Sequence, residues 1–145
     1  MADEINLQFE LSAARDGIQI GNTTDKKVQN MQTILGGAMQ TRSQFVTAKA
    51  DVDLGDIVNH GTGNVDNDYF LLLINAGQTD VNVYVQKDAG TDVLDSIMKP
   101  GEPYGPMRKT KQTAGYPKTR VESAAAGNPV VKIEIDATEA GDPAT

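Results

Sequence analysis

The sequence of 145 residues contains no cysteine and no tryptophan, and only 5% of it is aromatic. Without cysteine there is no disulfide framework, no thiolate metal site and no thiol redox chemistry. The count does not choose a compartment, because a cysteine-free chain works inside or outside the cytosol. Scarce aromatics remove the stacking platforms on which sugar and base recognition usually rests. Basic charge is also short: 13 Lys and Arg against 20 Asp and Glu leave a net charge of −7. A protein that grips nucleic acid by neutralising phosphates needs the opposite balance, so no nucleic-acid partner is expected. No apolar run approaches the length that crosses a bilayer, so no membrane partner is expected either. The opening, MADEINLQFEL, is acidic and then alternates, unlike a signal or transit peptide.

What the sequence does contain is strand pattern. Its longest apolar run, Tyr69 to Ile74, is rich in branched and aromatic residues and too short for a buried helix. It reads as a strand covered on both faces. After the polar turn Asn75 to Asp80, Val81, Val83 and Val85 alternate with Asn82, Tyr84 and Gln86, the pattern of a half-buried strand. Asn, Gly and Asp in that turn let a chain reverse, so Asp68 to Lys87 reads as a central β-hairpin. Upstream, Ile5, Leu7, Phe9 and Leu11 form one apolar face, and Asp16-Gly17 signals a hairpin whose return strand starts at Ile18 and Ile20. Residues 21–25 read as a loop. Val28, Met31, Ile34 and Leu35 fit a short helix or an irregular strand equally well.

Further strands are expected at Gln40 to Ala48 and Val93 to Met98, the latter closed by Lys99-Pro100-Gly101-Glu102-Pro103. Tyr104 to Lys111 reads as a strand or an extended arm. Thr119, Val121 and Ser123 read as a strand near the surface, and Val131, Ile133 and Ile135 as the clearest half-buried strand. About eight strands with regular turns and no strong helix define an all-β chain, a single-domain β-sandwich or jelly-roll-like barrel with exposed arms. The domain is expected over 1–136, with a lead at 1–4, an arm at 104–117 and an acidic tail at 137–145.

Catalytic chemistry is hard to assemble from these residues. His60 is the one histidine, in a Gly-rich loop, with no assignable nucleophile or orienting acid. Asp51-Val52-Asp53-Leu54-Gly55-Asp56 has the look of a calcium loop but lacks the distal Glu and flanking helices of an EF-hand. Gly61-Thr62-Gly63 lacks the lysine of a phosphate loop. The expectation is therefore a protein that is not an enzyme and uses no cofactor or metal. Arg108, Lys109 and Lys111 form the only basic cluster, joined further on by Lys118 and Arg120. They suit either a docking face for an acidic partner or a solvated strand face.

Three segments together resemble a large group of small virion proteins of tailed bacteriophages. They are the opening MADEINLQFELSAARDGIQI, then Leu54 to Ile57 leading into Tyr69 to Val83, and finally Ile97-Met98-Lys99-Pro100-Gly101-Glu102. The last is followed by a closing pair around Arg120 to Ser123 and Val131 to Ile135. Tyr104 to Pro117 departs from the group's pattern as an insert containing Pro, Gly and Lys, which makes it a candidate contact arm. The resemblance implies a capsid decoration, or cement, protein with a jelly-roll-like fold, made in the host cytoplasm and placed on the capsid exterior of the virion. It implies a homo-oligomer, commonly a trimer, bridging copies of the major capsid protein. Contact residues are then expected in the lead, at Ala2, Asp3 and Glu4, and in the arm, at Tyr104, Met107, Arg108, Lys109 and Lys111. The loop around His60 is a further contact candidate. The competing reading is a tail, neck or head-fibre component that binds the host surface.

Overall fold

A computed structural model describes the backbone of residues 4–15, 18–32, 39–54, 58–59, 64–65, 68–110 and 116–139. Side chains are described for 41–54, 68–110 and 116–138. No helix occurs among these residues. In chain order the strands are β1 (Glu4–Arg15), β2 (Ile18–Gln32), β3 (Met39–Val46), β4 (Ala50–Asp51), β5 (Val58–Asn59) and β6 (Asn64–Val65). They continue as β7 (Tyr69–Asn75), β8 (Val81–Asp88), β9 (Thr91–Met98), β10 (Pro103–Lys109), β11 (Lys118–Ser123) and β12 (Val131–Glu139).

Eight of these strands make two antiparallel four-stranded sheets, in the orders β10-β7-β12-β3 and β4-β11-β8-β9. Together they form a β-sandwich; the strand order does not single out a jelly roll. Alternation in the sequence becomes alternation of burial. Ile133 and Ile135 on β12, Leu71 and Leu73 on β7, Val81 and Val83 on β8 and Val121 on β11 are all 0% exposed. Each such side chain contributes about 1.5–3 kcal/mol by leaving water. The ladder β12–β7 opposes Ile135 to Leu73, and β11–β8 opposes Val121 to Val83, so the inner faces are continuous apolar rows.

Phe70, Leu72 and Ile74 lie on the other face of β7 and are buried or half-buried. This agrees with a strand covered on both faces.

The central hairpin expected at residues 68–87 is not one. β7 and β8 belong to different sheets, and residues 76–80 carry the chain across the sandwich. Asn75 anchors that crossing. Its amide nitrogen donates to the Thr79 carbonyl at 2.7 Å and the Met98 carbonyl at 2.9 Å, and its Oδ1 accepts from the Gly77 N–H at 2.9 Å. Turn chemistry alone does not say whether the next strand joins the same sheet or the facing one.

Other expectations are also corrected. Residues 21–25 lie inside β2 rather than in a loop: Asn22 opposes Leu11 and Lys26 opposes Phe9, with a register shift between. Three polar residues are taken up there as a bulge against one residue of β1. The segment from Val28, open between a short helix and an irregular strand, is strand as far as Gln32, with Met31 opposite Ile5, and 33–38 lie outside the described residues. β11 is not peripheral, since it pairs with both β4 and β8, and Thr119, Val121 and Ser123 are buried.

The domain also runs further than residue 136. Ala137 is 4% exposed and opposes Leu71 on one side and Gln40 on the other, because β12 is flanked by strands on both edges.

Candidate functional site

Of the expected contact residues, Tyr104, Met107, Arg108 and Lys109 come together on β10. Ala2, Asp3, Lys111, His60 and residues 61–63 lie outside the described residues, and Glu4 is described only as the first backbone position of β1. The arm is a strand: Tyr104 opposes Leu73, and Arg108 opposes Phe70, in an antiparallel ladder with β7. Tyr104 is 4% exposed and belongs to the core, with Met107 packed against it. Neither serves as a free apolar anchor, because the strand turns both toward the sandwich. A bulge between Tyr104 and Met107 resets the alternation there.

The Tyr104 ring closes one end of the sandwich through a polar latch. Its hydroxyl donates to Asp95 on β9 of the facing sheet and accepts from the Lys109 ammonium. Burial holds the Tyr104 hydroxyl well above the ordinary tyrosine range, and the Asp95 carboxylate adds to that. Burial also lowers Lys109, against the pull of Asp95. Tyr69 is raised by burial as well, partly offset by its hydrogen bond with Thr119. All three groups of the latch are occupied with one another. It joins two sheets and presents no nucleophile paired with a base.

The basic residues do not form one patch. Arg108 pairs with Asp68 at 3.0 Å on the β10–β7 sheet, whereas Lys118 and Arg120 project from β11 on the other sheet. There they enter an ionic lattice over the outer face. Lys118 and Arg120 both reach Asp51, at 3.2 and 3.0 Å. Arg120 also reaches Asp92 at 3.3 Å, and Lys49 meets Asp92 at 3.0 Å while lying 4.0 Å above the Tyr84 ring. The Tyr84 hydroxyl donates to Glu122 at 2.9 Å; burial and that carboxylate raise its pKa. Charges paired this way fix strand positions and keep the face hydrated, with about 0–1 kcal/mol from each exposed pair.

Asp51 and Asp53 of the calcium-like loop are likewise held by cations, Asp53 by Arg42 at 3.3 Å. Among the described residues no group of three or more acidic or histidine side chains is placed to hold a metal ion, and no helix is long and apolar enough to cross a membrane.

Among the described residues, large apolar side chains are exposed at two places. Phe45 on β3 is 69% exposed, and Val130 is 64% exposed. Phe45 opposes Lys132 on β12, and Val130 stands immediately before β12 begins, so both lie at the same end of the β3–β12 ladder. On the other sheet β9 is an edge strand with Val93, Leu94 and Ile97 exposed by 44%, 49% and 48%. Sequence reading missed both. Phe45 was legible only as a strand former, and the exposure of β9 depends on its place at the edge. The chain matches no family model, no curated protein and no solved structure.

Proposed function

We propose that this chain is a virion structural protein of a tailed bacteriophage, a decoration protein that binds the outside of the head and stabilises contacts between copies of the major capsid protein. It acts without catalysis or a cofactor, as a homo-oligomer, and its three-segment resemblance to small phage virion proteins supports a trimer and a jelly-roll-like fold. The observation that carries the reading is the pairing of a tightly packed sandwich with the exposed apolar side chains of Phe45 and Val130. A cement protein needs a rigid core and apolar contacts on its surface, each of modest strength and multiplied over many copies.

Heads prepared without this chain and incubated with the purified protein provide the test. The expected result is saturable binding and a higher melting temperature of the heads. Replacing Phe45→Ser and Val130→Ser together removes about 3 kcal/mol of apolar contact, roughly a hundredfold in affinity, while the free protein melts as before. Binding to tails alone would move the protein to the competing tail or neck role. Binding to neither, or turnover of a polysaccharide or peptide by the purified protein, would overturn the reading.

A further inference from the structure

Strand β9 closes one edge of the sheet β4-β11-β8-β9, and among the described residues it pairs with β8 alone. From Thr91 to Ile97 none of its residues is buried. Val93, Leu94 and Ile97 are each about half exposed, so the apolar burial that fixes β7, β8 and β12 contributes little here. Met98 is the first residue of the strand to enter the core, and its carbonyl accepts from Asn75. The ladder to β8 is irregular as well. Val83 opposes Ser96 and Tyr84 opposes Leu94, which leaves Asp95 as an extra, bulged residue. A second register shift lies between Gln86 and Asp88, beside the turn that joins the two strands.

Two aspartates supply the attachment that burial does not. Asp95, at the bulge, reaches the facing sheet, where its carboxylate accepts from the Tyr104 hydroxyl, itself held by Lys109 on β10. Asp92 is tied within its own sheet but past β8. It meets Arg120 on β11 at 3.3 Å and Lys49, just before β4, at 3.0 Å. The Asp92 side chain is 17% exposed against 50% for Asp51, so its pairs are screened less by water and salt.

We propose that residues 91–97 form a strap that opens from β8 as a unit while the rest of the sandwich stays closed, with Asp92 and Asp95 as the two clasps that hold it shut. Elements with few buried contacts open at lower free energy than the core does. The opened strap is a loop tethered at both ends, at the turn after Asp88 and at Met98 in the core. Opening bares the backbone edge of β8. Val81 and Val83 keep their place in the core, because β8 retains its ladder with β11 from Ser123 to Lys118. The device belongs to the fold and does not rest on a virion role.

Native-state hydrogen exchange of the full chain is the test, read on the β9 amides that bond to β8 and on the amides of β12. In the unaltered protein the β9 amides should exchange at least about tenfold faster than those of β12. Their rates should also depend less on low urea, since opening a strap exposes less surface than unfolding the domain. Asp92→Ala and Asp95→Ala each remove one clasp, and each should speed the β9 amides about fivefold or more. β12 exchanges through global unfolding, which also releases the clasps, so these variants speed it by the same factor. Ile135→Val weakens the part that stays folded; it should speed β12 about two- to tenfold and leave β9 unchanged. Exchange of β9 at the rate and urea dependence of β12 would overturn the proposal. So would β9 amides that speed up with Ile135→Val, or that ignore both aspartate replacements.

Discussion

Replacing Asn75 with alanine removes the side chain that fastens the crossing between the two sheets. Asn75 is 0% exposed, and its amide serves the Met98 carbonyl, the Thr79 carbonyl and the Gly77 N–H. The bond to Met98 is buried, so losing it costs about 1–3 kcal/mol. The bonds to Thr79 and Gly77 are half-buried; water can replace them in part, adding about 0.5–1 kcal/mol each. The sum, about 2–5 kcal/mol, is a large share of the roughly 5–15 kcal/mol that holds a domain folded. It corresponds to a fall of about 6–16 °C in melting temperature. Urea denaturation is the assay, with a lower midpoint at unchanged slope as the expected result. Asn82→Ala is the control, because its amide reaches the Tyr84 hydroxyl at a long 3.4 Å; it should cost no more than about 0.5 kcal/mol. An Asn75→Ala variant as stable as that control would refute the role given to this residue.

Gly105→Ala should destabilise by about 1–3 kcal/mol or more in the same assay. Gly105 has φ of +91°, and an added Cβ would fall 2.3 Å from the Leu71 carbonyl oxygen. Deleting residues 137–145 should lower the melting temperature clearly, because Ala137 is buried and its strand pairs with both β7 and β3. A truncated protein that melts like the full chain would contradict that placement.

Stability should also fall on the alkaline side. Tyr69 and Tyr104 have folded pKa values raised above the ordinary 10.0, so their contribution is complete below that pH and is lost as pH rises above it. Lys109, lowered by burial, works with the opposite sign: its penalty for folding is relieved as pH rises. With Tyr84 raised as well, three tyrosines stand against one lowered lysine, and urea midpoints should drop above pH 10.0. Tyr104→Phe should flatten that drop, and an equal drop in the variant would remove Tyr104 from the account.

Strand positions were largely legible in the sequence, because a half-buried strand writes its period into its residues. Ile5 to Leu11 and Val131 to Ile135 are both strands, and Arg15 pairs with Ile18 as a hairpin there requires. Which strands meet was not legible. Asn75 to Asp80 carries the chemistry of a reversal whether the chain turns back within a sheet or crosses to the other. Tyr104 looked like an exposed anchor, since nothing local says that Asp95 and Lys109 enclose its hydroxyl. The lattice around Asp51 and Asp92 joins residues as far apart in sequence as Asp51 and Arg120, and only the sheet order β4-β11-β8-β9 brings them together.

The most direct test of the proposed role is the number of copies of this chain in purified phage particles, by quantitative mass spectrometry against the major capsid protein. A ratio near one to one is the predicted result, with the protein spread across the head lattice. A few copies per particle would place it at a vertex, neck or tail instead, and its absence from particles would contradict the account.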